Sequence, residues 1–160
     1  MLFRIINLEY KLENLKILSD QNFSIKEGNH LLILGPSGSG KTTLINLMAG
    51  LIKPSNGNIF FKEKNYSSLS ETESDDLRSK NFGFIFQKLH LIGHLNIIQN
   101  IKLAQNSSDS LNTLELIEGL GLIEKKKERV SDLSLGEAQR VAIARGVANN
   151  PKVIFADEPT

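Results

Sequence analysis

The chain contains no cysteine in 160 residues. That absence excludes a disulfide framework, a thiolate metal site and a cysteine nucleophile, and it suits a reducing compartment. Charge of either sign in excess is also missing: 19 basic against 18 acidic side chains leave +1. A balance so close to neutral gives no whole-chain footprint for nucleic acid or an anionic membrane surface. Long apolar runs are absent too. The strongest, Leu31 to Leu34, is four residues, far short of the roughly 18 that a membrane span requires. The N-terminal Met1-Leu2-Phe3-Arg4 opens no basic region, apolar core and cleavage site, so secretion is not expected and a cytosolic setting is. No repeat of solenoid period and no low-complexity tract interrupts the chain. What remains is ordinary globular composition, 40% hydrophobic and 23% charged, at a length that fits about one domain.

Hydrophobic patterning divides the chain into short strands and helices. Leu2 to Leu8 and Asn22 to Ile25 read as strands, with a turn at Glu27-Gly28-Asn29. His30 to Leu34 reads as a strand buried on both faces. Leu44, Leu47, Met48 and Leu51 fall on one helical face, bracketed by Gly50 and Pro54. Asn58 to Phe61 predicts a strand, and Ser70 with Glu73 a capping box for a helix towards Lys80. Phe82 to Phe86 is an aromatic-rich strand ended by Gln87. From Leu89 to Asp132 the pattern turns helical, with Leu111, Leu114, Ile117 and Leu120 roughly on one face. The charge run from Glu124 to Arg129 reads as a solvated helix end. A helix from about Leu135 to Asn149 should bury Val141, Ala144, Val147 and Ala148 before a strand at Val153 to Ala156.

One segment carries specific chemistry. Gly35-Pro36-Ser37-Gly38-Ser39-Gly40-Lys41-Thr42-Thr43 lies between an apolar run and a periodic helix, the context that a phosphate-binding P-loop requires. Glycines let successive backbone N–H groups curl around an anion, and the helix presents its positive N-terminal end. Lys41 can reach the β- and γ-phosphates of a nucleotide, and the Thr42 hydroxyl can take a position on Mg²⁺. A glycine–serine linker is the plain alternative, but a linker has no use for a lysine and two hydroxyls at a helix start. Asp157 and Glu158 follow the last apolar run. An acid at the tip of a parallel strand can hold Mg²⁺ through water, and its neighbour can serve as a general base. Taken alone, two acids in a loop are more often merely solvated.

Leu133-Ser134-Leu135-Gly136-Glu137-Ala138-Gln139-Arg140 resembles the signature motif of ATP-binding cassette (ABC) ATPases. Tyr10, Gly35–Thr43, Gln87, this segment and Val153–Glu158 stand in that family's order, so the resemblance covers essentially the whole chain. Leu77 to Gln87, Asn100-Ile101 and Asn149-Asn150-Pro151 are similar to the branch that powers lipoprotein release, macrolide export and the cell-division transporter-like complex. The resemblance implies an α/β fold: a P-loop NTPase core at 1–88 and 135–160, with an N-terminal antiparallel β portion and a helical subdomain inserted at about 89–134. It implies ATP and Mg²⁺ as ligands, with Tyr10 stacked on adenine and Gly35, Pro36, Ser37, Gly38, Ser39, Gly40, Lys41, Thr42 and Thr43 around the phosphates. Glu158 and Gln87 would be catalytic; Thr42, Gln87 and Asp157 would hold the metal, partly through water. Ser134, Leu135, Gly136 and Glu137 would complete the ATP site of an opposite subunit. Ser134 and Glu137 also form a capping box that any helix starting there would use.

The implied assembly is a homodimer of ATPase subunits on integral membrane permeases at the inner face of the cell membrane, without nucleic acid. Two positions depart from the family pattern: Leu135 stands for a glycine, and Glu137 for the commoner glutamine. His30, His90 and His94 all precede the signature, so none is placed as the family's switch histidine. The fold is therefore expected to be incomplete at the C-terminus, and residues 1–160 alone are expected to bind nucleotide weakly without turnover. An inactive remnant is accordingly the alternative function. A chromosome-associated ATPase of the same superfamily fits less well, because Gln87 to Ser134 spans only 47 residues with no sustained heptad. A tandem-domain translation factor has no room in one short chain.

Overall fold

The computed structural model describes residues 1–106 and 109–158. The chain divides into two compact units, Met1–Asp75 and Asp76–Thr160.

The first unit is built on a four-stranded antiparallel sheet in the order β2-β1-β3-β4. It comprises β1 (Phe3–Leu12), β2 (Leu15–Ile25), β3 (Asn56–Phe61) and β4 (Lys64–Asn65). β1 and β2 form a hairpin that closes at Leu12↔Leu15, through Glu13 in the left-handed region at φ 54°. The expected strand at Asn22–Ile25 is thus the end of a much longer one. The expected helix α1 runs Lys41–Met48 and buries Leu44, Leu47 and Met48. Leu51 lies beyond it and is exposed. Phe3 packs on Phe61 at 5.2 Å and edge-on to Tyr66 at 6.5 Å. The Tyr66 hydroxyl donates to the carbonyls of Leu47 and Met48, fastening the last turn of α1.

His30–Leu34 is not a strand, which corrects the expectation for that run. The segment has no ladder partner in either sheet, and Leu31, Leu32 and Leu34 are exposed. Apolar side chains favour burial, but a strand exists only where another strand takes up its N–H and C=O groups.

α2 (Glu71–Asn81) starts at the expected capping box: the Glu73 carboxylate accepts from the Ser70 amide and hydroxyl, and Ser70 Oγ accepts from the Glu73 amide. In the second unit β5 (Phe82–Ile85) and β6 (Val153–Ala156) pair in parallel, Phe82↔Val153 through Ile85↔Ala156. Parallel neighbours need a long crossover. Here it is made of α3 (Ile97–Lys102), α4 (Thr113–Gly119), two 3₁₀ turns (Ile123–Lys125 and Val130–Asp132) and α5 (Leu135–Val147). Ile97, Ile101, Ile117, Leu122, Val130, Val141, Ala144 and Ala148 form its core. Fully burying an aliphatic side chain contributes about 1.5–3 kcal/mol, so this cluster fixes α5 against its neighbours. Of the face expected on α4, Ile117 is buried, whereas Leu111 and Leu114 are exposed. Val147 is only half-buried on α5.

Candidate functional site

The glycine loop enters α1 through a left-handed pair of residues. Gly38 has φ 78° and Gly40, the residue that caps α1, has φ 88°, values that side chains with a Cβ adopt only under strain. A Cβ on Gly40 would lie 3.0 Å from Leu18 Cδ2, and one on Gly35 would lie 2.7 Å from Ser39 Oγ. The N-cap residue of α1 is Gly40, which has no side chain with which to cap the helix. Lys41 folds back across the loop: its Nζ donates to the carbonyls of Gly35 and Pro36, each at 3.0 Å. A primary ammonium beside the N-terminal end of a helix is what an anion needs. Tyr10 belongs to the same region. It pairs with Leu18 across the hairpin, and Leu18 is the residue that abuts Gly40.

In the second unit the register of β5 and β6 brings their C-terminal ends together, which is where open parallel sheets place ligand chemistry. The Asp157 amide continues the ladder by donating to Ile85 O at 3.0 Å. Beyond it the exposed Glu158 takes a left-handed backbone, φ 45°. Gln87 Nε2 donates to Glu158 Oε2 at 2.8 Å. The two side chains expected to be catalytic are thus hydrogen-bonded to one another across 71 residues of sequence.

The signature-like segment is the start of α5. Ser134 caps the helix, and the Glu137 carboxylate accepts from the Ser134 amide and hydroxyl, both at 2.8 Å. Leu135 is 72% exposed. Lys125, expected to be only solvated, instead donates to Glu137 Oε1 at 2.9 Å. That contact, with the bonds from Ser134, holds the Glu137 carboxyl far below the usual range, at about 2, and raises Lys125.

Two contributors escaped the sequence reading. Arg145, near the end of α5, donates Nη1 to His90 O at 2.6 Å and Nη2 to Leu89 O at 2.7 Å; burial pulls its pKa downward. The signal was a cation adjoining the apolar face of Val141, Ala144 and Ala148. Lys125 carried no signal, because its partner lies twelve residues on in the chain. Among the described residues, no group of three or more His, Cys, Asp or Glu could hold a metal ion.

A glycine-rich loop opening directly into α1, a parallel strand pair followed by two carboxylates and a serine-capped helix are the features of an α/β protein of P-loop class. Among solved structures, a dimeric post-hydrolysis state of the ATP-binding cassette MJ0796 bound to ADP and Pi matches with a TM-score of 0.88. It is 33% identical, over 99% of this chain and 74% of that one. A second dimeric structure of MJ0796, a bacterial ABC transporter cassette, gives 0.86 at 32% identity with the same coverage. The curated relatives include an uncharacterized ABC transporter ATP-binding protein, MJ1508, of Methanocaldococcus jannaschii, 44% identical over 89% of this chain. The lipoprotein-releasing system ATP-binding protein LolD of Wigglesworthia glossinidia brevipalpis is 41% identical over 90% of it. The chain spans 66% of the length of each of these two relatives. The family model for ABC transporters matches residues 18–160. The chain belongs to the ABC transporter family, as an ATP-binding cassette.

Proposed function

We propose that the protein is the ATP-binding and ATP-hydrolysing subunit of an ABC transporter. The observation that carries this reading is the glycine loop itself, with Lys41 Nζ poised over the carbonyls of Gly35 and Pro36 at the start of α1. A triphosphate entering the loop would take the ammonium from those carbonyls and gain a charge-assisted contact where its own charge is greatest. Gly35 to Thr43 would supply the backbone cradle, and Tyr10, beside the loop through Leu18, the adenine platform.

Glu158 is proposed as the general base for the attacking water and Gln87 as its holder. With Nε2 donating to Glu158, the remaining polar atom of Gln87 is an oxygen, which suits a cation. That oxygen, the Thr42 hydroxyl and the Asp157 carboxylate are hard donors of the kind Mg²⁺ takes, and Mg²⁺ held by them would neutralise phosphate charge. Ser134, Leu135, Gly136 and Glu137 would meet the nucleotide of a second subunit, a reading in keeping with the dimeric MJ0796 structures. Residues 1–88 and 135–160 would then be the catalytic core and about 89–134 the helical subdomain.

Transport-coupled hydrolysis implies membrane permease partners, and peripheral attachment through them to the inner face of the cell membrane is part of the same proposal. Among the described residues no helix is long and apolar enough to cross a membrane. Lipoprotein release or a related export is the process favoured by the likeness to LolD. Phosphate release by the full-length protein at saturating MgATP tests the reading: turnover abolished by Glu158→Gln supports it, and turnover surviving that change contradicts it.

A further inference from the structure

The loop that follows Gln87 is held from α5. Phe86 and His90 meet edge to face at 5.3 Å, which folds the intervening Gln87-Lys88-Leu89 into a tight bend. His90 closes the bend in the left-handed region, φ 49°, a conformation that costs energy for a residue with a Cβ and persists where surrounding contacts impose it. The bend leaves the carbonyls of Leu89 and His90 pointing the same way, and the Arg145 guanidinium takes both with its two terminal nitrogens. The fork is planar and rigid, so the two bonds fix the orientation of the bend as well as its distance from α5. On its other side Gln87 reaches Glu158. The neighbour of Arg145, Gly146, lies so close to β5 that a Cβ there would come within 2.8 Å of Phe84 O. α5 is therefore registered against the strand that leads into Gln87 as well as against the loop that leaves it.

We propose that Arg145 is a positioning residue for Gln87: by clamping the Leu89 and His90 carbonyls it aims the Gln87 amide at Glu158 and makes the catalytic pair move with α5. The helix begins at Ser134, eleven residues before Arg145, a distance of about 16 Å at 1.5 Å per residue. A contact made at the capped end of α5 is thus transmitted through a single rigid element to the Gln87–Glu158 bond. The proposal rests on the hydrolytic roles assigned above to Gln87 and Glu158.

The test compares Arg145→Met and Arg145→Lys in the full-length protein, each in the native and the Gln87→Ala background. Steady-state phosphate release is read together with hydrogen exchange at the amides of residues 88–91. In the native background Arg145→Met, which removes both bonds, should lower kcat by about tenfold or more, with little change in KM for MgATP. Arg145→Lys, which can reach one carbonyl but not both, should fall between. In the Gln87→Ala background both substitutions should be nearly silent, and exchange at 88–91 should rise in either background. Equal fold-losses with and without Gln87, or unchanged exchange at 88–91, would overturn the proposal. If Arg145→Met does not fold, Arg145→Lys carries the same comparison; if neither folds, Arg145 is a core structural residue and the proposal fails. A native protein without Glu158-dependent turnover would instead overturn the proposed function, and the exchange measurement alone would then decide whether Arg145 holds the loop.

Discussion

Gly83→Ala perturbs the contact that sets β5 against α5. A Cβ on Gly83 would lie 2.1 Å from Gly146 O, 2.8 Å from Pro151 Cγ and 3.2 Å from Gly146 C. Two of these are backbone atoms of a helix held by a buried cluster, so no side chain can swing aside. Relief requires α5 and β5 to separate by about 1 Å, and a gap of that size forfeits roughly a quarter to a half of the dispersion energy of the atoms facing it. The cost should be about 3 kcal/mol, at the upper end for overpacking. In a chain of this length that corresponds to a melting temperature lower by about 6–12 °C. Gly119→Ala is the matched control: it ends α4, and a Cβ there meets nothing within 4 Å. It should leave stability unchanged or raise it by about 0.4–1 kcal/mol. Thermal melts followed by far-UV circular dichroism decide the matter. If Gly83→Ala melts with the native protein, the close approach of β5 and α5 is wrong, and the argument from α5 to Gln87 loses its anchor.

Glu137 ties stability to acid. Its carboxyl is lowered from 4.5 to about 2, so the native state favours the ionised form; that contribution is complete above the ordinary value and is lost as pH falls towards 2. Lys125→Met removes the largest cause of the lowering, so the variant should lose less stability than the native protein between about pH 5 and pH 3. Parallel losses in urea unfolding at the two pH values would contradict the pairing. Leu135→Gly removes an exposed bulk from the start of α5 and should strengthen ATP-dependent dimerisation of the full-length protein in a Glu158→Gln background. Sedimentation velocity showing no gain, or a loss, would mean that the surrounding backbone already accommodates leucine.

Local physics was legible in the sequence. The capping boxes at Ser70–Glu73 and Ser134–Glu137 were readable because both partners lie within one turn of their helix, and the structure forms them as expected. The passage from glycine-rich loop to helix was readable because glycines followed by the apolar spacing of Leu44, Leu47 and Met48 mark a helix start, and α1 opens at Lys41 directly after Gly40. Pairings between distant segments were not legible. The bond from Gln87 to Glu158 follows from the parallel register of β5 and β6, which no local pattern specifies. Arg145 acts on carbonyls 55 and 56 residues away, and carbonyls leave no trace in side-chain chemistry. The β1–β2 hairpin hid because its turn is Glu13-Asn14, without glycine or proline. His30–Leu34 misled for the opposite reason: its composition is that of a buried strand, and composition does not supply the neighbouring strand that would make it one.

The central claim, that Gly35 to Thr43 holds the phosphates of ATP, is tested most directly by calorimetric titration of the native protein and Lys41→Ala with ATP and with adenosine. Removing the ammonium that lies over the loop carbonyls should weaken ATP by about 10- to 150-fold, the worth of one hydrogen bond to a charged group. Adenosine, which carries no phosphate, should bind both proteins alike. ATP binding that survives Lys41→Ala unchanged, or equal losses for ATP and adenosine, would place the nucleotide elsewhere and contradict the account.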